Sequence, residues 1–321
     1  MRHMSADKPG NDRQLLVLRT GPLTTVQDAG RPGFAQLGIG RSGAADRRSH
    51  RLANRLVGNL EDEATLEVTL GGLAVRADHD LLIAVTGAPT PITVSGILYG
   101  TNAPIALPAG QQAELGPPLR GLRSYLAIRG GIRVPEVLGS RSTDILSGIG
   151  PDPLRDGDVV PIGTAYGAAP DLDLAAVAEP AEGELTLSVR IGPRDDWFTD
   201  AAMRALLHDR YEVTAESNRV GMRLAGPILE RSRTDELPSE GMVVGALQVS
   251  PDGQPTLFLT DHPVTGGYPV IAVIGRADVD DAAQARPGQH LRFRLAGDPD
   301  AGSAISEAAA RKAHSRRSSL P

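Results

Sequence analysis

Arg19-Thr20-Gly21-Pro22 ends an apolar run near the start of the chain, and Arg190-Ile191-Gly192-Pro193 ends a matching run past its middle. An aspartate follows each, at Asp28 and at Asp195. Further on, Ala109-Gly110-Gln111 and Pro287-Gly288-Gln289 both precede a strand-like run, and the two pairs repeat at offsets of 171 and 178 residues. A nearly constant offset predicts two similar β domains that arose by duplication. Outward from these anchors, short apolar or alternating runs bounded by Gly and Pro recur at 15–18, 81–86, 92–94, 124–128, 185–191, 256–259, 270–274 and 291–295, each of strand length. Only 46–57, a single turn at 134–138, and 199–208 read as helices. The predicted fold is therefore mainly β with a few short helices.

The expected organisation is a disordered start (1–13), a first β domain (14–165), a linker rich in Ala, Pro, Asp and Glu (166–184), a second β domain (185–297) and a mobile C-terminal tail (298–321). The 37 glycines and 25 prolines make up close to a fifth of the 321 residues, against about 12% on average, which favours turns over long helices. No apolar run reaches the roughly 18 residues of a membrane span, and no secretory leader is evident, so a cytoplasmic protein is expected.

A net charge of -6 with aromatics at 3% gives no footprint for nucleic acid or an anionic membrane. The absence of cysteine excludes disulfides, thiolate catalysis and cysteine-ligated zinc. The basic residues are unevenly split: Lys8 and Lys312 are the only lysines, and both lie in the polar ends. A body without ammonium groups excludes a lysine-dependent phosphate loop, Schiff-base chemistry and a serine–lysine amidase, because guanidinium does not replace a tunable amine. The histidines are scattered, so no metal site is expected.

Three polar, glycine-rich clusters are candidates for chemistry. The first runs from Thr25 through Gln27, Asp28, Gly30, Arg31 and Gly33 to Ser42 and Asp46. Its backbone N–H groups form a candidate anion nest with Arg31 as a planar fork, while Asp46 stands where a helix cap belongs. The second is Gly139-Ser140-Arg141-Ser142-Thr143-Asp144, whose hydroxyls and arginine suit either an oxyanion or an internal turn network. The third joins Asn218-Arg219-Val220-Gly221-Met222-Arg223 to Gln248, Asp261 and Thr265-Gly266-Gly267-Tyr268, where paired glycines imply close backbone approach to a ligand or another strand.

Taken in order over about residues 15 to 297, these blocks resemble the allophanate hydrolase subunit 2 family, also called the biotin-dependent carboxyltransferase or KipA-like family. Thr25-Val26-Gln27-Asp28, Ser42-Gly43-Ala44, Glu67-Val68-Thr69, Tyr125-Leu126-Ala127 and Ser239-Glu240-Gly241 belong to the same series. The resemblance implies a pair of cyclophilin-like β-barrels. It also implies a subunit, inactive alone, of a heteromeric ATP-dependent amide-processing enzyme of the 5-oxoprolinase type. Its partners would be a KipI-like subunit and a third LamB/YcsF-like subunit, with ATP bound on a partner.

A biotin-dependent carboxyltransferase component, with biotin as cofactor, and a regulatory binding protein of the KipA type are the alternatives. On the first reading, Arg31 with the Gly30 and Gly33 N–H groups holds a carboxylate or carbonyl oxygen. Asp28 and Asp261 handle protons or amide N–H, and Arg141, Arg219 and Arg223 meet developing negative charge. Gln27, Ser42, Ser142, Thr143, Gln248, Thr265 and Tyr268 complete the expected substrate-binding set. The chain departs from the family pattern at Ile149-Gly150-Pro151, where a longer glycine run ending in arginine is usual, and at Pro263-Val264, where Gln-Thr is usual.

Overall fold

Short runs that alternate apolar and polar residues bury one face each and pair through their backbones, and here they do so almost wholly antiparallel. A computed structural model describes residues 13–297. The expected disordered start, apart from Arg13, and the expected tail lie outside the described residues. The chain divides into two compact units, one running to Gly33 and from Arg41 to Pro180, the other taking Phe34–Gly40 and the described residues from Ala181 on.

The first unit contains β1 (Gln14–Arg19), β2 (Leu23–Gln27), helix α1 (Arg47–Leu56), β3 (Thr65–Thr69), β4 (Ala74–Ala77) and β5 (Leu81–Gly87). It continues with β6 (Ile92–Val94), β7 (Ile97–Tyr99), β8 (Pro104–Leu107), β9 (Gln112–Leu115), β10 (Arg123–Ile128) and β11 (Val159–Pro161). One sheet runs in the order β11-β1-β4-β9-β6-β7, the other β2-β3-β10-β5-β8. Their inner faces supply an aliphatic core that includes Leu15, Val17, Leu66, Val75, Ile83, Ile92 and Leu126. β10 sits between β3 and β5 and is buried along its whole length, which is why its sequence does not alternate. Asp46 caps α1 as expected: its carboxylate accepts from Ser49 N at 2.9 Å.

The second unit contains β12 (Leu185–Ile191), α2 (Asp200–His208), β13 (Arg210–Val213), β14 (Gly221–Ala225), β15 (Glu240–Gly241), β16 (Ala246–Val249) and β17 (Pro255–Phe258). After these come β18 (Thr265–Gly266), β19 (Val270–Ile274), α3 (Arg276–Ala282) and β20 (His290–Leu295). Seven strands close a barrel in the order β12-β19-β16-β17-β14-β13-β20, sealed by the parallel pairing of β12 with β20. Leu187, Val189, Tyr211, Leu257, Ile271 and Phe293 fill it.

Two local expectations are corrected. The single helical turn at 134–138 does not form; Val137 bridges Ser140, and Leu138 takes a left-handed φ of 55°. α3 carried no readable start signal, because its cap is Gly275 with no side-chain acceptor and its sequence is mostly charged. Among the described residues, no helix is long and apolar enough to cross a membrane.

Candidate functional site

β2 delivers its last residue, Gln27, and then Asp28 to one end of the first unit, where three loops converge. The Asp28 carboxylate is the hub. Its Oδ1 accepts from Gly30 N at 2.8 Å, Ser140 Oγ at 2.7 Å and Ser142 Oγ at 2.5 Å, and its Oδ2 accepts from Arg141 N at 2.6 Å. A carboxylate ringed by donors is a strong organiser, because each bond is charge-assisted. Gln27 Nε2 donates to Thr143 O at 2.9 Å, and Ser42 Oγ donates to the same oxygen at 3.1 Å. Ser42 itself has φ of 54°. Gly30 and Gly43 lie back to back; a Cβ on Gly30 would come within 2.6 Å of Ser42 O, so glycine is required there.

Arg31 is turned inward. Its Nη2 donates to Ser142 O and its Nε to Val137 O at 3.4 Å, and the side chain is among the largest fully buried groups. The expected nest is thus filled from within: the Gly30 N–H meets Asp28, and the Arg31 N–H meets Arg41 O at 2.7 Å. Gly33 is exposed and no atom crowds it.

Beside this knot lies a cavity of about 800 Å³. Of the residues expected from sequence, Asp28, Gly30 and Arg141 line it, while Gln27, Arg31, Ser42, Ser142 and Thr143 form the layer behind. Its other charged walls were not anticipated. Arg133 holds Glu63 in a two-pronged pair at 2.6 and 2.8 Å, and this pair raises the guanidinium above its ordinary value. Arg141 reaches Glu136 at 2.7 Å and Val134 O at 2.9 Å. Glycine makes room for the first pair: a Cβ on Gly163 would sit 2.4 Å from Arg133 Nε, and one on Gly131 would sit 2.4 Å from Glu63 Oε2.

A second buried cluster backs the site. Glu67 on β3 accepts from Tyr125 Oη and from Ala45 N, each at 2.9 Å, and lies 3.5 Å from Arg123. Tyr125 accepts in turn from Asp46 N at 2.7 Å. Burial, with Glu67 and Asp46 beside it, pushes the Tyr125 phenol well above its usual range. His50 on α1 meets Thr65 Oγ1 at 2.9 Å, and burial lowers it to about 4, so the ring is neutral. The signal in sequence was Glu67 itself, a carboxylate inside an otherwise strand-like run.

The remaining candidates belong to the second unit. Arg219 and Asp261 form a buried two-pronged ion pair, Nε to Oδ2 at 2.9 Å and Nη2 to Oδ1 at 3.1 Å. Arg223 lies apart from it, exposed on β14 and 3.4 Å from the exposed Glu216. Gln248 donates to Tyr268 O at 3.0 Å, the half-exposed Tyr268 ring lies 5.5 Å from the Arg231 guanidinium, and Thr265 is held in the β15–β18 pair. The twelve substrate-binding and three catalytic candidates are therefore divided between the two units, and the cavity is lined by residues of the first. No group of three or more His, Asp or Glu suited to a metal ion occurs among the described residues.

Comparison with known proteins agrees with this architecture. The family described as carboxyltransferase domain, subdomain A and B, matches residues 37–295. A 5-oxoprolinase subunit of Escherichia coli (strain K12) is 40% identical over 282 residues, spanning 87% of this chain and 90% of that protein. The urea amidolyase of Lachancea kluyveri is 33% identical over 308 residues, 86% of this chain but only 16% of that much longer protein. In the crystal structure of the Kluyveromyces lactis urea carboxylase, the similar region covers 90% of this chain and 28% of that one, with a TM-score of 0.80 at 31% identity. The motif blocks, the strand-built units and the match from residue 37 to residue 295 agree: this chain belongs to the carboxyltransferase domain A and B family.

Proposed function

We propose that this chain is a subunit of a heteromeric, ATP-dependent amide-processing enzyme that opens 5-oxo-L-proline to L-glutamate, working with a KipI-like and a LamB/YcsF-like subunit and inactive without them. The observation that carries this reading is the 40% identity to a bacterial 5-oxoprolinase subunit along nearly the full length of both chains. The geometry fits a binding rather than a self-sufficient catalytic role. Asp28 has donors on both oxygens and Arg31 is buried on backbone carbonyls, so the pair shapes the cavity wall rather than moving a proton or clamping a substrate carboxylate. A triphosphate finds no lysine here, and of the three guanidiniums that line the cavity Arg133 and Arg141 face carboxylates while Arg41 Nε donates to Ala29 O, which supports ATP on a partner.

Reconstitution with all candidate partners tests this: glutamate should form from 5-oxoproline only when ATP and every subunit are present. Turnover by the purified chain alone, or none by the complete set, overturns it. In the same assay Arg31→Ala should lose activity through a displaced 137–142 loop; undiminished turnover would remove Arg31 from the site. A second reading, the carboxyltransferase component of a biotin-dependent urea carboxylase, is favoured by the likeness to urea amidolyase and urea carboxylase. It predicts carboxylation of urea when a biotinylated carrier is supplied.

A further inference from the structure

Residues 166–180 carry no helix or strand, yet the first unit holds them along its surface. Arg129 Nη2 donates to Tyr166 O at 3.0 Å and to Gly167 O at 2.6 Å, and its Nη1 donates to Val57 O at 2.7 Å; Tyr166 also lines the cavity. Pro170 packs so closely on Gly58 that a Cβ on that glycine would come within 2.9 Å of the Pro170 Cδ. The Ala175 N–H donates to Asn102 O at 2.8 Å, its side chain packs against the cluster of Ala53, Leu56 and Tyr125, and Glu179 meets Arg120 at 2.9 Å.

Between these anchors the ribbon faces outward. Asp171-Leu172-Asp173-Leu174 alternates with the period of a strand but belongs to no sheet. Among the described residues, the Ala175 N–H is the only backbone group of 171–178 with a hydrogen-bond partner. Leu172, Leu174 and Val177 are 45%, 61% and 46% exposed, and single exposed apolar residues are ordinary where three in one short ribbon are not. The stretch 166–184 holds Asp171, Asp173, Glu179, Glu182 and Glu184 and no Lys, Arg or His. Asp171 and Asp173 are exposed and meet no basic side chain among the described residues.

An ordered ribbon with open backbone groups is suited to strand addition, in which main-chain bonds give affinity and alternate side chains give specificity. Because the anchors already hold it, little further ordering has to be offset on binding. A second copy of the chain is a poor occupant, since pairing two such ribbons brings the Asp171 and Asp173 carboxylates of both together. Nucleic acid and anionic membrane are repelled in the same way. We propose, resting on the heteromeric reading and naming its surface, that 171–178 is the docking strand for a companion subunit. The companion pairs an edge strand with the open backbone, seats Leu172, Leu174 and Val177 on apolar side chains, and sets Arg or Lys beside Asp171 and Asp173.

Hydrogen–deuterium exchange tests this on the full chain alone and in the heteromer reconstituted with the KipI-like and LamB/YcsF-like subunits. Alone, the amides of 172–174 and 176–178 should exchange at the earliest time point; in the heteromer they should slow by about tenfold or more. Leu172→Glu with Leu174→Glu, and separately Asp171→Lys with Asp173→Lys, should each weaken assembly by about tenfold or more. Both should melt as wild type does, because all four side chains are exposed. A heteromer whose ribbon still exchanges freely, or either variant assembling as well as wild type, overturns the proposal and leaves the heteromeric reading intact. Protection already present in the chain alone also overturns it, and assigns the cover to a second copy or to the basic end with Arg311, Lys312, Arg316 and Arg317. Failure to form any heteromer overturns both.

Discussion

Ser142 Oγ bonds to Asp28 twice: it accepts the Asp28 backbone N–H at 2.9 Å and donates to the Asp28 carboxylate at 2.5 Å. One hydroxyl therefore fixes both the main chain and the side chain of a residue 114 positions away, and this closes the loop cluster around the cavity.

Removing that hub should be costly. Asp28→Ala leaves Gly30 N–H, Arg141 N–H and two hydroxyls without their acceptor in a buried place, and a loss of about 3 kcal/mol or more is expected. Asp28→Asn should recover only part, since one oxygen becomes a donor facing donors. Urea unfolding of the isolated chain measures both; unchanged midpoints would show that the network is not what holds these loops.

Gly150 is expected to tolerate no side chain. With φ of 94°, a Cβ there would lie 2.1 Å from Ser142 O and 3.0 Å from Arg31 Nη2. Gly150→Ala should cost about 2 kcal/mol or more through strain and displacement of Arg31. Differential scanning calorimetry showing a wild-type Tm would contradict this.

In the second unit the Arg219–Asp261 pair should behave as a buried couple. Either single substitution to alanine is expected to cost about 3–5 kcal/mol, because an uncompensated charge remains in the interior, while a joint replacement by Met and Leu should recover most of that. A double-mutant cycle with no coupling between the two positions would reject the pairing.

His50 sets an acid limit on stability. Its folded value of about 4 lies below the ordinary 6.5, so folding favours the neutral ring. The stability this contributes is fully present above about pH 6.5, declines as pH falls below that, and is gone below about pH 4, a change of roughly 3 kcal/mol. His50→Gln should flatten that part of the stability profile, which chemical denaturation at pH 7, 5.5 and 4.5 reads directly. An unaltered slope in the variant would assign the acid sensitivity to other groups.

Sequence periodicity made the strands at 92–94, 185–191 and 270–274 readable to the residue, because each is a short apolar or alternating run bounded on at least one side by Gly or Pro. β3 escaped notice, since Glu67 breaks its pattern, and a carboxylate is tolerated there because the distant Tyr125, Arg123 and Ala45 N–H meet it. The loop residues of the site were visible as types but not as orientations. Whether Arg31 faces a ligand or the interior depends on carbonyls of Val137 and Ser142, which lie more than a hundred positions away. Tyr166 was missed for the opposite reason: it sits in a stretch that reads as linker, and its placement comes from a guanidinium donating to its backbone.

The parallel pairing of β12 with β20 joins the two ends of the second unit, Leu185 to Leu291 and Val189 to Leu295. During synthesis, the opening strand of this unit must wait, one edge unzipped, until about a hundred further residues have left the ribosome. A nascent chain halted before residue 290 exposes that edge to neighbours, and the vulnerable interval ends only when the closing strand arrives.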